Sequence, residues 1–187
     1  MVQVLRLILG LCVCLLVSSC EESDKERLSR LVSEWEGKEI LFPAHSTFTI
    51  QGKDTVDFDF KGAEYKIVTY IDSVGCVGCK LYLSRWKSFI ARVDSVMNEN
   101  IVFLFYIHSA KKDEVSSVIR REDFYYPICI DTCNEFYNLN RFPLENSYVS
   151  FLLDNENKII EKGNPAYNPN YQEIYLNVLT NKKQQRL

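Results

Sequence analysis

The chain has 187 residues, 47% of them hydrophobic and 13% aromatic, which is enough for one sizeable core and short for two. That composition excludes a disordered or low-complexity protein. With 22 Lys and Arg against 25 Asp and Glu the formal net charge is −3, and no basic run is present to hold a phosphate backbone, which argues against nucleic acid as a partner.

The N-terminus reads as a targeting signal. Arg6 is its only charge, and the apolar stretch Leu7 to Val17 has the length of a signal-peptide core, too short to cross a bilayer as a mature helix. It runs into Val17-Ser18-Ser19-Cys20. Small residues before a cysteine resemble a bacterial lipobox, in which residues 1–19 are removed and Cys20 is acylated; the alternative is an ordinary secretory signal with an incidental cysteine. The abrupt shift to Glu21-Glu22-Ser23-Asp24 favours lipidation. Acyl chains then supply the membrane affinity. The expected location is the bacterial cell envelope, lipid-anchored, periplasmic or surface-exposed, where disulfides persist. Of seven cysteines, Cys12 and Cys14 would leave with the signal and Cys20 would carry lipid, so Cys76, Cys79, Cys129 and Cys133 remain.

Apolar spacing at Leu28, Leu31, Val32 and Trp35 predicts a helix over Ser23–Glu36, closed by Gly37. Thr47–Ile50 and Val56–Phe60 predict a hairpin around Gly52-Lys53-Asp54. Tyr65–Ile71 reads as a strand. Cys76–Val96 reads as one long helix with Tyr82, Trp86, Phe89, Ile90, Val93 and Met97 on its buried face. The unbroken apolar run Ile101–Ile107 predicts a central strand covered on both faces. A helix over Lys111–Arg121, a strand over Tyr126–Ile130 and a short helix over Asn134–Asn140 follow. Val149–Leu153 and Lys158–Glu161 flank a turn-rich stretch and read as an antiparallel hairpin. Asn168-Pro169 caps a last helix with Tyr171, Ile174, Tyr175, Val178 and Leu179 inward. The order from Tyr65 on is β-α-β-α-β-α-β-β-α, and its opening strand–helix–strand requires a parallel, right-handed crossover.

Cys76-Val77-Gly78-Cys79 sits between the first of these strands and the helix after it. A helix N-terminus presents unpaired N–H groups and a positive dipole end, both of which favour a thiolate. The spacing lets the second sulfur resolve a mixed disulfide made by the first. Gly75 and Gly78 leave the backbone uncrowded for an approaching substrate. The same cysteines could instead staple the helix start, or join Cys129 and Cys133 in a metal site; strand–helix placement favours redox work over both. Cys129 reads as a small buried side chain, and Cys133 as a structural or auxiliary thiol. Asp72 reads as a proton shuttle or a turn cap, and His108, at the end of the central strand, as a group that tunes Cys76 or, the commoner case, a solvated loop histidine. Ser73-Val74-Gly75-Cys76 has a peroxidase-like S/T-x-x-C spacing, but Thr69 stands where that pattern needs proline.

The segments Tyr70–Lys80, Tyr126–Asp131, Phe151–Ile160 and Gly163 resemble the thioredoxin-like superfamily, and specifically the membrane-anchored thiol–disulfide oxidoreductases of bacterial envelopes. The likeness covers about residues 60–180 in order. It implies an α/β fold, a thioredoxin-like mixed sheet flanked by helices, here with a short N-terminal helix and hairpin. The expected division is a signal over 1–19, an anchor and extension over 20–60, and the thioredoxin-like domain over 61–187. The resemblance implies Cys76 as attacking thiolate and Cys79 as resolving thiol, with no organic cofactor and no metal. The implied partners are disulfide-containing envelope proteins and a membrane electron donor, and the implied function is reduction or isomerisation of partner disulfides. A degenerate binding or structural lipoprotein is the competing reading. This chain has Tyr148 and Val149 where the family has a cis-proline, Gly75 for its tryptophan, and Tyr70 for its buried acid.

Overall fold

The β-branched and aromatic runs assemble into a seven-stranded mixed sheet in the order β2-β1-β5-β4-β3-β6-β7. Its strands are β1 (Phe48–Ile50), β2 (Asp54–Val56), β3 (Tyr65–Asp72), β4 (Ile101–His108), β5 (Ile128–Asp131), β6 (Tyr148–Leu153) and β7 (Ile159–Lys162). The helices among the described residues are α1 (Leu83–Val96), α2 (Lys112–Arg121), α3 (Glu135–Asn140) and α4 (Pro169–Gln184). The computed structural model describes residues 35–72, 81–97, 101–141 and 148–184. The signal, Cys20, all but the end of the Ser23–Glu36 helix, and Cys76 to Cys79 therefore lie outside the described residues.

Strands β3, β4 and β5 run parallel, and β6, β7, β1 and β2 pair antiparallel outside them. The expected fold class is the observed one. Strand β4 alternates as its two-faced burial requires: Phe103, Phe105 and Ile107 join the core beneath α1, α2 and α4, while Leu104 and Tyr106 join a second core on the other face. Trp86 meets Phe105 edge-on at 5.1 Å, and Phe124 meets it from the α2 side at 5.2 Å. On the opposite face only the short helix α3 and the segment around residues 35–60 provide cover among the described residues. Aromatic rings fill the gap there: Phe42, Phe48 and Phe136 pack on Tyr106, and Phe60 packs on Phe42 and Phe48.

The hairpin forms, but its second strand covers Asp54–Val56 rather than the expected Val56–Phe60, and residues 57–60 are not in a strand. It joins the main sheet, since Phe48 pairs with Cys129 and Thr49 with Ile128. Gly52 at its turn has φ +69 and lies against Ser116 of α2, so a larger residue would collide there.

The long helix expected over Cys76–Val96 begins outside the described residues and is interrupted at Tyr82. Leu81 is helical, but Tyr82 takes a left-handed conformation (φ 47, ψ 36), and α1 restarts at Leu83. Leu83 occupies the buried position expected for Tyr82, which is half-buried. A bulky residue in that region carries a backbone cost of about 1–2 kcal/mol. The Tyr82 ring lies 5.8 Å from Tyr167, with the Arg85 guanidinium over it at 5.4 Å, contacts that offset the cost. In α4 the inward face holds Tyr175, Leu176 and Leu179, and Ile174 is exposed, a rotation of the expected stripe.

Candidate active site

The three parallel strands end level with one another at their carboxyl edge. Asp72 of β3 is in register with His108 of β4, and His108 with Asp131 of β5. Their side chains follow the pleat onto the face that carries Tyr70, Tyr106 and Cys129. His108 Nδ1 lies 2.9 Å from the Asp131 carbonyl oxygen. A carbonyl only accepts, so Nδ1 bears the hydrogen and donates it. The Asp131 carboxylate accepts the Phe136 amide at 2.9 Å, satisfying a free N–H in the first turn of α3.

Deeper on this face the Tyr70 hydroxyl donates to Asn134 Oδ1 at 2.7 Å. Burial first, then the charges of Asp72 and Asp131, push its ionisation far above the ordinary tyrosine range. Where thioredoxin-like proteins have a buried acid, this chain therefore has a phenol whose burial opposes ionisation. Sequence reasoning named Tyr70 as a departure but did not find its bond to Asn134, because a left-handed residue at the start of a six-residue helix leaves no periodic signal.

Cys129 and Cys133 are both free thiols. Cys129 is buried, as its sequence context predicts, and burial pushes its thiol up to about 12. That disfavours the thiolate, the form that acts as nucleophile and binds metals. Cys133 is exposed on a cleft of about 180 Å³ that also touches His45, Tyr106, Asp131 and Glu135. Thr69, where a peroxidase pattern needs proline, is buried and bonded through its hydroxyl to Ser150 at 3.0 Å.

Cys20, Cys76 and Cys79 lie outside the described residues. Tyr148 and Val149, at the positions of the family's cis-proline, pair with Ile71 and Tyr70 at the end of β3, and no peptide bond among the described residues is cis.

Three solved structures share this architecture. Peroxiredoxin Q from Xanthomonas campestris matches with a TM-score of 0.55 at 10% identity, over 76% of this chain and 96% of its own. The thioredoxin domain of a thiol-disulfide oxidoreductase from Bacteroides vulgatus matches at 0.52 and 15% identity, over 75% and 97%. A thiol-disulfide oxidoreductase from Bacteroides fragilis matches at 0.50 and 10% identity, over 73% and 99%. No protein-family profile and no curated protein matches the chain. At these identities the likeness defines the fold, which is thioredoxin-like.

Proposed function

We propose that the protein is a thiol–disulfide oxidoreductase that works through Cys76 and Cys79. The observation that carries this reading is connectivity: the Cys-x-x-Cys segment joins the carboxyl end of the parallel strand β3 to α1, beside the level ends of β4 and β5. Ligands and reacting groups of open α/β sheets gather at that edge. Cys76 attacks a partner disulfide and Cys79 resolves the mixed disulfide, leaving the partner reduced or isomerised. Residues 1–19 act as an export signal and Cys20 as the lipid anchor, holding the domain in the bacterial envelope. There it meets disulfide-containing proteins and takes electrons from a membrane donor.

Trapping in cells tests the reading. Cys79→Ser should hold partners covalently on Cys76, released by reductant. Cys76→Ser should hold almost none, and Cys129→Ser and Cys133→Ser should match the native chain. Absence of adducts from Cys79→Ser, with an ordinary Cys76 thiol pKa, would replace this reading with a binding or structural module that kept the fold and lost turnover.

A further inference from the structure

The amino end of β3 borders a cavity of about 360 Å³ on the side of the second core. Lys66, which lines it, stands about 20 Å along β3 from Asp72 and the carboxyl edge. The segment before β1 closes one wall and is tied down at two points. The Ile40 N–H donates to the Asn157 carbonyl at 2.9 Å. The Asn140 side chain holds both the N–H and the carbonyl of Leu41 at 2.8 Å. Ile40 is fully buried, and the Phe42 ring lies 5.0 Å from Phe60. This wall is therefore preformed and apolar, and the volume is at the small end of the range for ligand sites.

The polar side of the cavity is incompletely paired. Lys66 is 1% exposed. An ammonium has three donors, and two of them reach the Ala63 and Asn155 carbonyls at 3.3 and 3.4 Å, both long. No carboxylate lies within ion-pair distance of Lys66 among the described residues. Burial lowers the ionisation of the ammonium, and the charge of Asp154 opposes only part of that shift. Asn157 lines the same cavity, and its Oδ1 is buried with no donor among the described residues. Buried acceptors are rarely left without a partner. The two groups meet at one turn, since Lys66 bonds the Asn155 carbonyl two residues before Asn157. Exposed Glu39 and Lys61 stand at the rim and balance each other in charge.

We propose that this cavity binds a small apolar carboxylic acid that carries a neutral hydroxyl group. The carboxylate takes the remaining Lys66 donor and neutralises a buried charge. The hydroxyl donates to Asn157 Oδ1, and the apolar body lies against Ile40, Phe42 and Phe60. One ammonium matches one negative charge, so a phosphate would bring a second charge into the cavity without a partner. An amino group on the ligand would be repelled by Lys66. The site stands apart from the cysteine segment and does not depend on the thiol–disulfide reading.

The test titrates the full chain in detergent with three probes by calorimetry. Phenyllactate carries both polar groups, phenylpropionate lacks the hydroxyl, and phenylethanol lacks the carboxylate. Phenyllactate should bind with a Kd of about 1 mM or tighter, and each of the others about tenfold more weakly. Asn157→Gly removes the acceptor and suits the backbone there, where φ is 63. It should weaken phenyllactate about tenfold and leave phenylpropionate unchanged. Lys66→Met should abolish the preference for phenyllactate over phenylethanol; if that variant does not fold, Asn157→Gly alone decides. No binding of phenyllactate to the native chain at about 10 mM overturns the proposal. Equal weakening of all three probes by Asn157→Gly overturns it as well, because the hydroxyl would then not be read by Asn157.

Discussion

The Tyr106 ring lies on Phe136 with centroids 4.2 Å apart and planes 12° from parallel. Both side chains are fully buried, and the stack joins the central strand to α3. A six-residue helix has no stability of its own in water, so α3 exists because this contact and its neighbours hold it. Phe136→Ala should therefore cost about 3–5 kcal/mol in urea unfolding. Leu139→Ala, on the exposed side of the same helix, should stay within about 0.5 kcal/mol. A Phe136→Ala loss below about 1 kcal/mol would contradict the buried stack.

Gly163 should resist substitution for two separable reasons. Its φ of +148 is rarely adopted by residues with a side chain, and an added Cβ would run into the Tyr171 ring. Its carbonyl also accepts the Tyr175 hydroxyl at 2.8 Å, tying the end of β7 to α4. Gly163→Ala should destabilise by about 2 kcal/mol or more. Combining it with Tyr171→Ala should recover the steric part, giving a favourable coupling of about 1 kcal/mol in a double-mutant cycle. Strict additivity of the two changes would show that the clash carries no weight.

The two free cysteines predict opposite behaviour toward a thiol reagent. Cys133 should react in the folded protein, and Cys129 only as the protein unfolds. Cys129 also gives a pH dependence of definite sign. Its folded thiol ionises near 12 and its unfolded thiol at about 8.5, so the unfolded state releases the proton first. The resulting stability is fully present below about pH 8.5 and is lost as pH rises toward 12. Comparing the native chain with Cys129→Ala isolates this from the buried tyrosines, which are also raised. Equal alkaline slopes in the two proteins would refute it.

The lipid anchor gives a cellular prediction. Cys20→Ser should take no acyl label and should leave the membrane fraction or accumulate at precursor size. Retention in the membrane at mature size without any lipid label, in both native and variant chains, would exclude the lipoprotein reading.

Local pattern was sufficient for most of the elements and for the two-sided burial of β4, because strand and helix periods report directly which residues leave water. It also identified Cys129 as buried and set the Cys-x-x-Cys segment between β3 and the helix that follows. Features that depend on distant pairing were not legible. Nothing local to Phe48 and Thr49 says that they will meet Cys129 and Ile128 across the sheet. Lysines are seldom buried, yet Lys66 is buried in β3, its ammonium directed to the Ala63 and Asn155 carbonyls at 3.3 and 3.4 Å. The left-handed turn at Tyr82 depends on Tyr167, supplied by the loop before α4. Asp72, His108 and Asp131 are ordinary polar ends of three separate strands until parallel register sets them side by side. Sequence by itself determined which segments form and which faces they bury, since those follow from the side chains present. Tertiary structure decided which strand ends meet, because register is set by packing the whole sheet between its two cores.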